Sequence, residues 1–155
     1  MEQLEVALGD RSYPIYIGAG ILPGLARLLE EQGIDQKRKL LLVSDSQVFP
    51  LYGEKVVAGL REAGYTVFQA IVPAGESSKN LEQLESLVEI GIQSGLDRTS
   101  VILALGGGVV GDLAGFLAAV YMRGISFVQL PTTLLAHDSS VGGKVGVNHR
   151  LGKNM

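Results

Sequence analysis

The stretch from Leu105 to Asp112, LGGGVVGD, is the part of the chain best suited to bind a ligand. It stands between an apolar strand-like run, SVILAL, and an apolar helix-like run, LAGFLAAVYM. Consecutive glycines cost backbone entropy, which packing alone does not justify. Such a turn can approach a phosphate at a helix start, where free N–H groups and the helix dipole favour anions. Gly106, Gly108 and Gly111 also satisfy G-x-G-x-x-G. A nucleotide site is predicted, with a tight ligand-free turn as the alternative.

Two acids could serve such a nucleotide. The acid that usually follows the glycines by about 20 residues is missing, because ISFVQLP contains no carboxylate. Asp45, at the carboxyl end of an earlier predicted strand, could bind the ribose instead and would repel a 2′-phosphate, which favours NAD over NADP. Asp112 is predicted in the first helical turn. There it either stabilises the helix dipole or, as we favour, accepts hydrogen bonds from a sugar hydroxyl.

Other polar stretches follow predicted strands. GESSK, from Gly75 to Lys79, precedes a helix, and Thr132 and Thr133 follow a proline at a strand end. Alternatively, these residues have no ligand and serve only as helix caps and turn residues. DSSVGGK, from Asp138 to Lys144, and the later LGKNM add a carboxylate, hydroxyls and ammonium groups, a set that could bind a polyhydroxylated anion.

The residue types argue against several other kinds of site. His137 and His149 are the only histidines, and no acidic cluster near them predicts a metal site. No Ser-His-Asp or Cys-His arrangement indicates a hydrolase. The chain has no cysteine, which excludes disulfides and is compatible with the cytosol.

Alternating strand and helix patterns should position these residues. They predict an α/β fold, a Rossmann-like, mainly parallel sheet flanked by helices, with an N-terminal β-hairpin. The hairpin strands are predicted at Leu4–Leu8 and Tyr13–Ile17. A helix over LEQLESLVEIGIQSG should present one apolar face and end at Gly95, the face being Leu84, Leu87, Val88 and Ile92. The carboxyl ends of parallel strands share one edge, where such sheets bind ligands.

Composition indicates a folded domain that binds a small anion. The 155 residues are 46% hydrophobic and 19% charged, which fits one globular domain and excludes a disordered tail. Residues 1–100 carry a net charge of −5 and residues 101–155 a net charge of +2, which favours small anionic ligands over nucleic acid. The N-terminus lacks a signal-peptide pattern, and Asp112 with the glycines argues against a membrane span from Val101 to Met122. The chain ends without a predicted helix or strand, so we expect a truncated N-terminal domain.

Six motifs together resemble the 3-dehydroquinate synthase family across nearly the whole chain: GESSK, LGGGVVGDLAGF, YMRG, QLPTTLLA, DSSVGGK and NHRLGKNM. GGGVVGD alone is shared with iron-dependent alcohol and glycerol dehydrogenases, whereas DSSVGGK with LGKNM is more specific. The resemblance implies a dehydroquinate synthase-like N-terminal domain of a cytoplasmic, homodimeric, NAD-dependent carbon–oxygen lyase. Its substrate would be a sugar acid phosphate, 3-deoxy-arabino-heptulosonate 7-phosphate, in the shikimate pathway of aromatic amino acid biosynthesis, with no nucleic-acid or membrane partner.

The resemblance also implies roles for individual residues. Those expected to contact NAD are Asp45, Gly75, Glu76, Lys79, Gly107, Gly108, Val109, Val110, Gly111, Asp112, Thr132, Thr133, Lys144 and Lys153. Those expected to face the substrate are Asp138, Lys144 and Asn154, with Arg123 reaching its phosphate across the homodimer interface. The family's zinc or cobalt ligands, a glutamate and two histidines, belong to a C-terminal helical domain. We expect residues 1–155 to be the NAD-binding domain without that metal domain, and therefore without metal or turnover.

One departure and three alternatives accompany the resemblance. The family usually has one more residue between PTTLLA and DSS, where this chain has only His137, and the loss would shift Asp138 relative to Thr132 and Thr133. The alternatives are another sugar-phosphate cyclase, a glycerol-dehydrogenase-like enzyme and a non-catalytic nucleotide-binding module.

Overall fold

A computed structural model describes residues 1–133, 136 and 145–155, and it confirms the predicted α/β class. Strands and helices alternate after an N-terminal hairpin, as the sequence predicts. Their bounds in chain order are β1 Glu2–Val6, β2 Tyr13–Ile17, α1 Leu25–Glu31, β3 Leu40–Asp45, α2 Glu54–Glu62, β4 Val67–Val72, α3 Leu81–Gln93, β5 Val101–Gly106, α4 Gly108–Val120 and β6 Ser126–Pro131.

The main sheet is parallel and has the strand order β4-β3-β5-β6. From β3 the chain pairs first with β4 on one side and then crosses to β5 on the other. That change of direction is a topological switch point between β3 and β5, and open parallel sheets bind ligands outside the carboxyl ends of their strands at such points. The central strand is covered on both faces, since Leu40 through Val43 are fully buried.

Two apolar cores lie on opposite faces of this sheet. Leu40 and Leu42 of β3 face the core formed with α1 and α2. Leu41 and Val43 face the core formed with α3 and α4. The strand alternation therefore fixes both helical layers, and with them the positions of all the loops at the carboxyl edge.

The first strand lies two residues earlier than predicted. It pairs Glu2 with Ile17 and Val6 with Tyr13, so Leu8 is outside it. The Leu8 N–H donates to Ser12 Oγ at 2.8 Å, and Gly9, at φ 65°, begins a short turn. Local turn chemistry therefore removes Leu8 from the strand.

The predicted face of α3 is wrong at one position. Ile92 is 66% exposed, and Gly91 takes the buried place beyond Leu87. Ile92 is eight residues past Leu84, about 80° further round the helix. A Cβ at Gly91 would lie 2.8 Å from Tyr121 Cε1, so this glycine lets α3 and the end of α4 approach. Gly95 ends the helix at φ 71°, as predicted.

The C-terminal segment, residues 145–155, is hydrogen-bonded, although the sequence predicts no helix or strand there. It forms a hairpin in which Val147 N–H donates to Met155 C=O at 3.1 Å and Met155 N–H donates to Val147 C=O at 2.7 Å. Val147 is fully buried in the core beside α3 and α4. We call this segment the C-terminal hairpin.

Candidate functional site

The carboxyl edge of the sheet gathers most of the predicted residues that the structure describes. Asp45 ends β3, the loop of residues 73–80 follows β4, and Gly106 ends β5. Thr132 follows β6, and its N–H donates to Gly106 C=O at 2.9 Å. All four strands are parallel, so these connections meet at one edge around the switch point.

The glycine turn leaves the start of α4 open. Gly107 caps the helix with extended backbone and no side-chain hydrogen bond. The first N–H groups of an α-helix have no acceptor within the helix, and here they belong to Gly108, Val109 and Val110. The next N–H, of Gly111, already donates to Gly107 C=O at 3.1 Å. The arrangement provides adjacent donors for an anion.

The three glycines have different neighbours. A Cβ at Gly106 would lie 2.7 Å from Val110 Cγ2, and one at Gly107 would lie 3.2 Å from Thr133 Cγ2. A Cβ at Gly108 would meet no atom within 4 Å. Gly106 and Gly107 therefore serve close packing, whereas Gly108 borders open space.

Asp112 lies deeper in α4 than predicted. The helix begins at Gly108, which makes Asp112 its fifth residue and removes it from the first turn. Its Oδ2 accepts a hydrogen bond from Lys79 Nζ at 2.8 Å, and the side chains are only 22% and 15% exposed. The carboxylate therefore pairs with a partly buried ammonium group and is poorly placed to serve the helix dipole.

Lys79 stands at the centre of a small charged network. Its Nζ also lies 3.6 Å from Glu76 Oε1, and the Glu76 side chain is 67% exposed. Burial opposes the charged form of Lys79, but the hydrogen bonds and charges of Asp112 and Glu76 together outweigh it and raise its pKa. Lys79 therefore remains a cation between an enclosed carboxylate and an exposed one.

The C-terminal hairpin joins this network through Asn148. Asn148 Nδ2 donates to Glu76 Oε1 at 3.0 Å, and the Asn148 N–H donates to Lys79 C=O at 2.8 Å. Gly146 N–H donates to Asp112 C=O at 3.2 Å. Sequence reasoning missed Asn148; the available signal was an amide side chain directly after the apolar run VGV.

Asp45 has a structural task at the switch point. Its Oδ1 accepts hydrogen bonds from the N–H groups of Gln47 and Val48 at 2.9 and 2.8 Å, which starts the helical turn after β3. Ser46 Oγ accepts the N–H of Ala74 at 3.0 Å and so ties this turn to the loop after β4.

Gly75, in the loop after β4, has φ 113°. Residues with a side chain rarely adopt this backbone conformation, so the turn before Glu76 requires glycine.

The two threonines differ in hydrogen bonding. Thr133 Oγ1 accepts the N–H of Ala136 at 3.1 Å. Thr132 Oγ1 is buried and has no hydrogen-bond partner among the described residues. A buried hydroxyl without a partner is costly, which makes Thr132 a candidate for contact with a bound group.

Several predicted site residues are not brought into this cluster. Arg123 lies beyond the far end of α4, roughly 20 Å along its 13 residues, at the opposite edge of the sheet. Lys153 and Asn154 lie on the exposed tip and return strand of the C-terminal hairpin, where Asn154 pairs with Asn148. Asp138 and Lys144 lie outside the described residues, as does His137.

Two features are absent from the described part of the chain. No three His, Asp or Glu side chains in residues 1–133, 136 and 145–155 are grouped to hold a metal ion. No helix within the same residues has the length and apolar character needed to cross a bilayer.

Comparisons with known proteins point to one family. Residues 69–155 match the family model described as 3-dehydroquinate synthase N-terminal. The chain is 56% identical over 156 residues to 3-dehydroquinate synthase of Desulforamulus reducens, covering all of this chain and 43% of that protein. It is 58% identical to 3-dehydroquinate synthase of Pelotomaculum thermopropionicum, with coverage of 100% and 42%. The chain thus spans less than half the length of these curated relatives.

Solved structures of related enzymes share the fold. A 2-deoxy-scyllo-inosose synthase complexed with carbaglucose-6-phosphate, NAD⁺ and Co²⁺ matches with a TM-score of 0.88 and 28% identity, over 99% of this chain and 41% of that one. The 2-epi-5-epi-valiolone synthase of Streptomyces hygroscopicus subsp. jinggangensis, with NAD⁺ and Zn²⁺ bound, matches with a TM-score of 0.76 and 31% identity, over 96% and 41%.

Proposed function

Because the chain belongs to the 3-dehydroquinate synthase family, we propose that residues 1–155 are the NAD-binding N-terminal domain of a 3-dehydroquinate synthase. The complete enzyme converts 3-deoxy-arabino-heptulosonate 7-phosphate to 3-dehydroquinate and phosphate, in the cytoplasm. Sequence identities of 56% and 58% to synthases of this name, against 28% to the inosose synthase, favour this substrate over that of another sugar-phosphate cyclase.

The uncapped start of α4 is the observation that carries the cofactor proposal. The N–H groups of Gly108, Val109 and Val110 bind the NAD pyrophosphate, and Gly108 leaves space for it. The Thr132 hydroxyl, buried and without a partner in the described chain, donates to the same group. The NAD bound in two structural relatives supports this choice of ligand.

The charged network orients the sugars of the cofactor. Lys79 Nζ lies 2.8 Å from Asp112 Oδ2 and thereby fixes the carboxylate, which accepts a hydrogen bond from a ribose hydroxyl. Glu76 and Asp45 serve the adenosine side from the loops after β4 and β3. Gly75 and Gly111 shape the backbone at those contacts, while Gly107 and Thr133 pack together beside the pyrophosphate. A carboxylate at the end of β3 disfavours a 2′-phosphate, so the domain prefers NAD to NADP.

NAD, when bound, supplies a transient oxidation of a substrate hydroxyl. The residues proposed to contact the substrate are Asp138, Lys144, Asn154 and Arg123, with Lys144 and Lys153 also near the cofactor and Arg123 contributed across a homodimer. The Co²⁺ and Zn²⁺ in the relatives support a divalent metal in the complete enzyme. We assign its ligands to a C-terminal helical domain, so residues 1–155 alone should not turn over substrate.

Backbone amide shifts test where the cofactor binds. At 16.4 kDa the chain suits ¹H–¹⁵N spectroscopy. Addition of NAD should shift the amides of Gly108, Val109 and Val110, and leave those of Arg123 and Gly124 at the opposite edge unchanged. NAD-induced shifts confined to residues away from the carboxyl edge would contradict the proposal.

A further inference from the structure

Asn148 connects two parts of the candidate site that are distant in sequence. Its side chain donates to Glu76 Oε1 at 3.0 Å, across 72 residues of chain. Its backbone N–H donates to Lys79 C=O at 2.8 Å, and it forms bridge pairs with both Asn80 and Asn154. One residue thus contacts the loop after β4 on one side and the return strand of the C-terminal hairpin on the other.

The hairpin is buried in the core on only one flank of Asn148, although backbone hydrogen bonds pair the two flanks. Val147 is fully buried, and Val145 crosses α4 at Gly115, where any Cβ would overlap Val145 Cγ1. Beyond Asn148 the chain is more open, since residues 150–155 are all exposed. The hydrogen bonds of Asn148 therefore lie where the buried part of the hairpin ends and its exposed part, which carries Lys153 and Asn154, begins.

Glu76 depends on the same residue. Its side chain is 67% exposed and would lose rotamer freedom if held in one position. Asn148 Nδ2, at 3.0 Å, is nearer to Oε1 than Lys79 Nζ, at 3.6 Å. A neutral amide holds Glu76 Oε1 without cancelling the charge of the carboxylate.

We propose that Asn148 is a positioning residue that fixes Glu76 and the exposed part of the C-terminal hairpin in one arrangement. The cofactor-side carboxylate and the hairpin side chains Lys153 and Asn154 then have a set separation before any ligand arrives. The identity of the ligand in this inference rests on the proposed function. The contact between Asn148 and Glu76 does not depend on it.

Exchanging donor and acceptor tests the link without any ligand. Asn148→Asp removes the amide donor and places a second carboxylate against Glu76, whereas Glu76→Gln keeps an acceptor for Asn148. In the double variant the amide introduced at position 76 donates to the carboxylate introduced at position 148, so the contact is restored with its direction reversed. The chain has no cysteine, so exposed Ser77 and Arg150 can be changed to cysteine and spin-labelled to measure the distance from loop to hairpin.

We expect a narrow distance distribution in the parent and in Glu76→Gln, a broad one in Asn148→Asp and a narrow one again in the double variant. Asn148→Ala, which removes the amide without adding charge, should be broad with either residue at position 76. Far-UV circular dichroism of each variant establishes that it is folded. A narrow distribution in Asn148→Asp, or a double variant as broad as that single variant, would overturn the inference.

Measuring NAD binding to the parent and to Asn148→Asp distinguishes this inference from the proposed function. Asn148→Asp should weaken NAD binding about tenfold, because a misplaced Glu76 carboxylate loses its contacts with NAD. A parent chain that shows no NAD binding would refute the proposed function and leave the distance result standing. A parent that binds NAD with Asn148→Asp binding equally well would refute the positioning role alone.

Discussion

Lys79 Nζ and Asp112 Oδ2 lie 2.8 Å apart, although 33 residues separate them in the chain. Lys79 belongs to the loop after β4 and Asp112 to the second turn of α4, which follows β5. Because β3 lies between β4 and β5 in the sheet, this ion pair spans the carboxyl end of the central strand. It therefore links the loop after β4 to the helix after β5 at the carboxyl edge of the sheet.

Removing the cation of this pair should destabilise the fold. Lys79→Met leaves a largely enclosed carboxylate without its partner, and we expect a loss of about 1–3 kcal/mol in the free energy of unfolding. Urea denaturation measures it, with Lys55→Met, at an exposed position on α2, as the matched control. An equal effect of the two substitutions would contradict the described pair.

The same pair should make stability depend on alkaline pH. The raised pKa of Lys79 means that its contribution is fully present below the ordinary lysine pKa of about 10.5 and is lost as pH rises through the folded-state value. The stability difference between the parent and Lys79→Met should therefore shrink above that pH. Burial also raises the pKa of Tyr65 and Tyr121, but this effect is common to both proteins and cancels in the difference. A difference constant to the highest accessible pH would contradict the prediction.

Gly115 should tolerate no side chain. A Cβ there would overlap Val145 Cγ1 and approach Phe127 Cε1 to 3.0 Å. Gly115→Ala should cost about 1–3 kcal/mol in urea denaturation, and adding Val145→Ala should recover part of the loss. Gly59→Ala, in α2 with no atom within 4 Å of the added Cβ, is the control and should stabilise by about 0.5–1 kcal/mol. Similar effects of the two alanine substitutions would be inconsistent with this packing.

Gly108 should matter for ligand binding and little for folding. A Cβ at Gly108 meets no protein atom within 4 Å, but it enters the space assigned to the pyrophosphate. Gly108→Ala should leave the unfolding midpoint near that of the parent and weaken NAD binding at least about tenfold, since a hydrogen bond to a charged group contributes about 1.5–3 kcal/mol. Calorimetric titration measures the affinity, and unchanged binding would show that the phosphates lie elsewhere.

Replacing Thr132 should affect NAD binding without lowering the stability of the fold. Its buried hydroxyl has no partner among the described residues, so Thr132→Val removes an unsatisfied group at nearly constant shape. The ligand-free protein should be as stable as the parent or up to about 1 kcal/mol more stable, while NAD binding weakens. Thr99→Val is the contrasting control, because Thr99 Oγ1 donates to Asp97 Oδ1 at 2.6 Å and its loss should destabilise. A destabilising Thr132→Val with unchanged NAD affinity would contradict the role assigned to this hydroxyl.

The sequence predicts the layers of this fold better than its exact edges. Apolar runs and glycine stops locate the strands and helices because both signals are local. Periodicity misplaces Leu8 and Ile92, because a side-chain turn and a glycine contact between helices override it. Asp112, expected in the first turn because it follows Gly111, lies one turn later, because α4 begins within the glycine run.

The candidate site is likewise predictable in its local features and not in its long-range contacts. Its loops are predictable, since parallel strands must bring their carboxyl ends to one edge. The partners are not, because the pairing of Lys79 with Asp112 and of Glu76 with Asn148 joins residues far apart in the chain. Only tertiary packing decides which of several loop cations meets which carboxylate.

A calorimetric titration of the chain with NAD, and separately with NADP, tests the central claim most directly. Saturable binding of NAD, with NADP binding much more weakly, is the predicted result, because the proposal places the pyrophosphate at the start of α4 and the Asp45 carboxylate where it would repel a 2′-phosphate. Equal affinity for the two dinucleotides, or no binding of NAD to the folded chain, would contradict the claim that these residues form an NAD site.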